Sequence, residues 1–307
     1  MYEDLAPIVL FVYNRPWHTK QTVEALQQNE LTNNSELFIY SDGAKNAEAK
    51  GDVAEVRSYI KSIDGFKNIT IFEREKNIGL AASIIDGVTK IVNQYGKIIV
   101  LEDDLITSPN FLTFMNKALD FYVNEKKVWH ISGWNYSINS DGLNDVFLWR
   151  VMNCWGWGTW KDRWQHYEKN VDSIMADFSK SDVKAFNIDG VGNFYSQIEK
   201  NKNKKINTWA IFWYASIFKE KGLCLNPVQT FVNNIGFDGS GTHCGSANWT
   251  EQSSLNLNSA VNYETNITES TIALANIKQH YLAQKKNVWE RLVNKLLRVF
   301  IRKTPIL

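Results

Sequence analysis

The chain has 307 residues, 34 basic against 33 acidic side chains, a net charge of +1 and 44% hydrophobic residues. The near-neutral balance excludes a global field for nucleic acid, and the apolar fraction excludes disorder as the default. Three cysteines, Cys154, Cys224 and Cys244, contain no CxxC pair. That excludes a disulfide framework or a structural zinc site and fits a reducing compartment.

The segment Met1-Tyr2-Glu3-Asp4 is acidic where a secretory signal carries bases, and no stretch reaches the length of a membrane span. The expectation is a cytoplasmic protein. Strand one is Ile8 to Tyr13, ending in Asn14-Arg15-Pro16, with a helix over Thr19 to Gln28. Strand two, Glu36 to Tyr40, ends in Ser41-Asp42-Gly43-Ala44 and leads to a helix from Ala47 to Ile63. Strand three is Ile69 to Glu73; then Asn77-Ile78-Gly79-Leu80 opens a helix from Ala81 to Gln94. Strands alternating with helical patterns predict βαβ units and a parallel sheet. Their turns would gather at one sheet edge, where a nucleotide pocket belongs.

The fourth strand is Ile98-Ile99-Val100-Leu101, and it runs into Glu102-Asp103-Asp104. It is too apolar to have a wet face, so it reads as a buried strand delivering three carboxylates to a crevice. Three adjacent anions repel one another and call for a positive partner. A divalent cation carrying a phosphorylated ligand meets that need, because hard oxygen ligands suit Mg²⁺ or Mn²⁺. The competing reading is a strand end before a helix N-terminus that favours acids, with Ser108-Pro109 as cap and first helical residue.

After Pro109 the pattern predicts a helix to about Asn124, then a strand Val128 to Ile131 entering Ser132-Gly133-Trp134-Asn135. Phe147 to Met152 reads as a strand, and Cys154-Trp155-Gly156-Trp157-Gly158-Thr159-Trp160 follows without an assigned element. A short helix runs from Trp160 to about His166, residues 170 to 205 are mixed and helical, and Trp209 to Lys221 is an aromatic helix closed by Gly222. Asn226-Pro227 starts an extended segment leading to a glycine-rich stretch, Gly236 to His243. Residues 245 to 270 read as loop. From Lys285 to Lys303, apolar residues fall on one helix face and Arg291, Lys295, Arg298 and Arg302 on the other. Such a helix is either an interfacial membrane anchor or a helix packed on the body with a solvated basic face. Liposome binding unchanged on removal of residues 285–307 would overturn the anchor. Twelve tryptophans, several beside Gly and Asn, lean the composition toward carbohydrate.

Taken together, these turns and acids resemble a GT-A glycosyltransferase, most closely the N-acetylglucosaminyltransferase I type, with some likeness to family-2-like bacterial sugar transferases. The resemblance rests on Asn14-Arg15 after strand one, Ser41-Asp42-Gly43 after strand two, the Glu102-Asp103-Asp104 triplet, His130 to Asn135, and Trp155 to Trp160. It covers about residues 6 to 245. It implies an α/β, GT-A fold: a Rossmann-like, mostly parallel sheet flanked by helices, with an acceptor-binding second half. The corresponding division is a transferase domain over 1–245 (nucleotide half 1–105, acceptor half 106–245), a loop-rich extension over 246–284, and the basic helix over 285–307.

The resemblance also implies roles. Asn14, Arg15 and Asp42 would hold the base and ribose of the donor, Asp103 the ribose or donor sugar, and Asn77, Gly79 and Leu80 the turn beside it. Asp104, with Glu102, would ligate Mn²⁺ or Mg²⁺; His243, in the glycine-rich stretch, is a candidate for a further metal ligand or for a contact to the diphosphate. Trp134, Asn135 and Trp157 would meet the acceptor. The implied reaction is inverting transfer of a sugar, from a UDP-sugar in the first instance, to a saccharide or lipid-linked glycan. That would serve surface polysaccharide or glycan assembly in the cytoplasm, at the inner membrane face, with no nucleic-acid partner.

Two departures stand out. Asn14 replaces the family's aspartate. The region matching the family's catalytic carboxylate, Asn207-Thr208-Trp209-Ala210-Ile211, carries no acid. An inverting transfer needs a base for the acceptor hydroxyl, and Asp238 or Asp162 are the candidates. The rival readings are a sugar nucleotidyltransferase, which should carry a glycine-rich basic loop after strand one, a two-carboxylate glycosidase, and a non-catalytic glycan-binding protein.

Overall fold

A computed structural model describes residues 4–239 and 254–284. Its centre is an eight-stranded sheet in the order β3-β2-β1-β4-β8-β6-β9-β7. Strands β1 (Ile8–Val12), β2 (Glu36–Ser41), β3 (Asn68–Glu73) and β4 (Lys97–Glu102) are mutually parallel. Between them run α1 (Pro16–Gln27), α2 (Lys50–Ile60) and α3 (Leu80–Tyr95). Helix α1 begins three residues earlier than the sequence pattern predicts, because Pro16 is preset for a first helical position. Helix α3 ends on Gly96, whose φ of 81° is the left-handed conformation that glycine tolerates.

The second half extends the sheet. Strands β6 (Val128–Ser132) and β9 (Leu223–Pro227) pair in parallel, while β7 (Val146–Trp149) and β8 (Trp157–Trp160) run antiparallel to their neighbours. A two-stranded antiparallel ribbon, β5 (Leu105–Thr107) with β10 (Val232–Asn234), sits at the end of β4.

Alternation along the strands makes two cores. Val9, Phe11, Phe38, Tyr40, Ile98 and Val100 face one way, onto α3 and α9 (Ala210–Lys219). Ile8, Leu10, Leu37, Ile39, Ile99 and Leu101 face the other, onto α1, α2 and α4 (Phe111–Phe121). A sheet buried on both faces is why its strands read as continuous apolar runs. The polar stretch at 170–205 folds into the short helices α6 (Val171–Asp177), α7 (Lys180–Phe186) and α8 (Tyr195–Lys202).

Residues 254–270 carry no helix or strand, and residues 271–284 are helical. This segment is tied to the body. Tyr122 donates to the Glu264 carbonyl (2.9 Å), Arg150 pairs with Glu269 (2.5 Å), and the hydroxyls of Tyr136 and Tyr281 meet at 2.8 Å. The basic pattern over 285–307 lies outside the described residues.

Candidate active site

The carboxyl ends of β1 and β4 lie side by side, with Phe11 opposite Glu102. The chain leaves β1 toward β2 on one side and meets β4 on the other, so this is the switch point where α/β sheets open a crevice. Arg15 enters from the turn after β1, and its Nη2 lies 2.7 Å from Asp103 Oδ1 and 2.5 Å from Asp104 Oδ2. The Tyr13 N–H donates to Asp103 Oδ2 at 3.3 Å. Asn14 sits half-buried in the same turn.

One guanidinium faces three carboxylates, and the electrostatics register the shortfall. Burial first, then the charges of Asp104 and Asp103, push Glu102 up to about 8, against the pull of Arg15. Burial raises Asp103 as well, with Arg15 opposing. Burial works against the Arg15 charge too, yet the two aspartates outweigh it and hold its pKa above the ordinary guanidinium value. Arg15 Nη1 is buried without a hydrogen-bond partner among the described residues. Three carboxylates against one guanidinium leave the site short of positive charge, and the unspent Arg15 N–H is a donor still open to an oxygen ligand. That donor set of buried carboxylate oxygens fits a hard divalent cation with a phosphorylated ligand. Among the described residues no group of three potential ligands is already gathered in metal-binding geometry.

Asp42, at the end of β2, is buried and organises the neighbouring turn. Its carboxylate accepts from the N–H groups of Gly43 (2.9 Å), Ile78 (3.0 Å) and Gly79 (2.8 Å), while Asn77 Nδ2 donates to the Gly43 carbonyl (2.8 Å). Gly79 has φ 80°, open to glycine alone without strain, and presents Leu80 as the exposed first residue of α3. Asp42, Asn77, Gly79 and Leu80 therefore form one unit beside Arg15.

The segment after β10 closes over the acids. The Ile235 N–H donates to the Asp104 carbonyl (2.9 Å), and a Cβ on Gly236 would fall 2.2 Å from Asp104 Oδ2 and 3.0 Å from Arg15 Nη1. Asp238 follows, its Oδ2 3.1 Å from Nε2 of the buried His18 in α1. Phe237 packs edge-on against Trp155, which packs edge-on against Trp134. Gly236 and Trp155 lie in stretches the sequence singles out, whereas nothing in the sequence marks His18 except that Arg15-Pro16-Trp17-His18 is the helix entrance next to the acids.

Other residues lie elsewhere. Asp162 is not brought to the site: β8 runs antiparallel to β4, with Trp160 opposite Lys97, so Asp162 sits at the far edge. There it pairs with Lys126 and Arg163, both at 2.6 Å. Trp157 is fully buried, stacked between His130 and Trp209, so its ring serves the core and not an acceptor. Trp134 is half-buried at the site edge, and Asn135 is buried behind it. His243 lies outside the described residues.

The GNT-I family model matches residues 1–171, more than half of the 307. The chain belongs to the GNT-I family. The match spans the turns after β1, β2 and β3, the acid triplet and β8. GNT-I membership makes this an enzyme that transfers sugars, in a GT-A fold, and favours that reading over the nucleotidyltransferase, glycosidase and binding-module alternatives. Among solved structures, the mannosyltransferase PcManGT from Pyrobaculum calidifontis, in complex with GDP-Man and Mn²⁺, aligns at a TM-score of 0.38. Identity there is 9%, over 71% of this chain and 72% of that one. Residues 1–349 of S. aureus TarS align at 0.28 with 12% identity, over 41% of this chain and 34% of that one. No curated protein matches the sequence.

Proposed function

We propose that this GNT-I family chain is a metal-dependent, inverting glycosyltransferase that moves a sugar from a nucleoside diphosphate donor to a glycan hydroxyl. The observation that carries it is the charge imbalance at the switch point: Glu102, Asp103 and Asp104 against Arg15 alone, with Arg15 Nη1 unspent. Asp104 with Glu102 would hold the divalent cation. When bound, that cation would stabilise the charge the diphosphate acquires as the glycosidic bond breaks.

The chain's own groups do the rest. Arg15 and Asp103 orient the donor from the β1 side, and the Asp42-braced turn at Asn77–Gly79 walls the nucleotide. The acceptor oxygen attacks the anomeric carbon on the face opposite the departing diphosphate, and its proton passes to a carboxylate. Asp238 is the base in this reading, because the Gly236–Asp238 segment already lies over Asp104 and beside His18. Trp134 and Trp155 form the apolar wall on the acceptor side.

The test is thermal stability against UDP, GDP and CDP, each with and without Mn²⁺, since a ligand of the folded state raises the melting temperature. We expect a metal-dependent shift with one nucleotide, lost in Asp104→Ala and kept in Asp238→Asn. Sugar transfer by Asp238→Asn should fall by a factor on the order of 10² to 10⁴. No shift with any nucleotide would overturn the donor assignment, and full activity in Asp238→Asn would move the base elsewhere.

A further inference from the structure

A second cavity opens on the same sheet edge as the acids. The carboxyl ends of β6 and β9 and the amino end of β7 meet there, and residues 254–258 close one side, around a volume of about 450 Å³. Its described lining is dominated by neutral polar side chains, among them Asn135, Ser137, Asn144, Gln229, Asn256 and Asn258. None of the described lining residues is cationic. The one charged group, Asp145, has its Oδ2 occupied by the backbone and side-chain N–H groups of Asn262, both at 2.8 Å.

This chemistry selects its occupant. Without a cation the cavity does not hold a phosphate or carboxylate, and its polar walls do not suit a lipid tail. Gln229 Nε2 is engaged by the Ser254 carbonyl, Asn144 Nδ2 by Glu264 and Asn256 Oδ1 by the Asn258 N–H. The remaining amide and hydroxyl groups still offer donors and acceptors side by side, which is what a neutral polyhydroxylated ligand needs. Asn135 adds an independent sign. It is 98% buried by its 2% exposure, its Nδ2 is pinned to the Val228 carbonyl at 3.0 Å, and its Oδ1 has no partner among the described residues. A buried acceptor left unmade is costly in a free protein and is met when a hydroxyl reaches it.

Position ties the cavity to the reaction. From β4 to β9 is three strand spacings, about 14 Å. Trp134 and Trp155 stand between, at the ends of β6 and β8. One pyranose ring cannot bridge that distance. We infer that the cavity between β6, β9 and β7 is a distal acceptor subsite. It binds a neutral oligosaccharide some rings away from the hydroxyl that receives the sugar. The inference rests on the transferase reading for its direction along the sheet, but the binding it asserts needs no donor.

The experiment is saturation-transfer NMR on the full chain, without nucleotide. The probes are neutral tetrasaccharides of glucose, galactose, mannose and N-acetylglucosamine, with methylphosphonate, whose methyl protons report binding, as the anionic control. Ser137→Trp, at an exposed rim position, fills the cavity; Asn258→Ala, also exposed, removes one amide. We expect transfer to at least one tetrasaccharide and none to methylphosphonate. Binding should be lost in Ser137→Trp and weakened about tenfold in Asn258→Ala, the equivalent of one hydrogen bond. The nucleotide and Mn²⁺ thermal shift should stay intact in both variants. No tetrasaccharide bound by the wild type, or equal binding by Ser137→Trp, overturns the subsite even if the nucleotide shift is present. A missing nucleotide shift with saccharide bound overturns the donor reading and leaves the subsite standing.

Discussion

Gly236 is the residue on which the site's geometry is most finely balanced. A methyl group there would meet Asp104 Oδ2 at 2.2 Å, and Asp104 cannot swing aside freely because Arg15 holds the same oxygen at 2.5 Å. Something must shift, and the nearest movable pieces are the ion pair itself and the segment leading to Asp238. Displacing a positioning group by about 1 Å typically costs about a hundredfold in rate. We therefore expect Gly236→Ala to lose about two orders of magnitude in kcat/KM and most of the Mn²⁺-dependent nucleotide shift. Its metal-free melting temperature should stay near that of the wild type, since the segment carries little core. Unchanged kcat/KM would show that the closed arrangement is not the working one. Asp42 makes a related point at the same scale: the side chain expected to touch the donor already spends its oxygens on the Gly43, Ile78 and Gly79 N–H groups. It holds the turn that the proposed function places beside the donor.

Among the elements, α3 shows how a single small residue sets a packing distance. A Cβ on Gly87 would meet Phe11 at 2.8 Å and Tyr40 at 3.1 Å, so the helix lies directly on the rings of β1 and β2. Overpacking a close-packed core usually costs about 1 to 3 kcal/mol. Gly87→Val should lower the melting temperature by roughly 5 °C in a chain of this size, and a thermal scan at matched pH reads it directly. No change would mean the helix can lift without loss. The nucleotide half was legible in the sequence because its strands are continuous apolar runs separated by polar turns, and each turn carries a residue that the site uses. The element that was not legible is β8. Trp157-Gly158-Thr159-Trp160 has glycine where a strand pattern expects a branched side chain. That glycine is needed, since a Cβ on Gly158 would fall 2.9 Å from the Ile98 carbonyl of β4. Close backbone approach between neighbouring strands is a tertiary demand, invisible to local propensity. The two base candidates could not be told apart for a similar reason: Asp238 and Asp162 are equivalent as sequence, and only the antiparallel direction of β8 places Asp162 at the edge away from the acids.

At the scale of the whole molecule, the two halves share one sheet, and its junction is buried around His130. The imidazole is stacked on Trp157 and fully buried. Trp213 Nε1 can only donate, and it reaches His130 Nδ1 at 3.2 Å, so Nδ1 is the acceptor. The proton then sits on Nε2 and is donated to the Asn153 carbonyl at 2.9 Å. Protonating Nδ1 would set two N–H groups against each other in a dry core. Burial accordingly lowers the His130 pKa from 6.5 to about 4, with the Asn153 carbonyl opposing only in part. In the unfolded chain this histidine takes up its proton at the ordinary value, so between about pH 6.5 and 4 the unfolded state binds more protons. Stability is therefore full above pH 6.5 and is lost as pH falls, at up to about 1.4 kcal/mol per pH unit from this one group. Urea midpoints measured from pH 7 down to pH 4.5 should decline, and the decline should be shallower in His130→Gln even though that variant starts less stable. Parallel slopes in the two proteins would place the acid sensitivity elsewhere. If the slopes differ, protonation of His130 between β6, β8 and α9 is what weakens the fold, so acid should abolish transfer and unfold the sheet together.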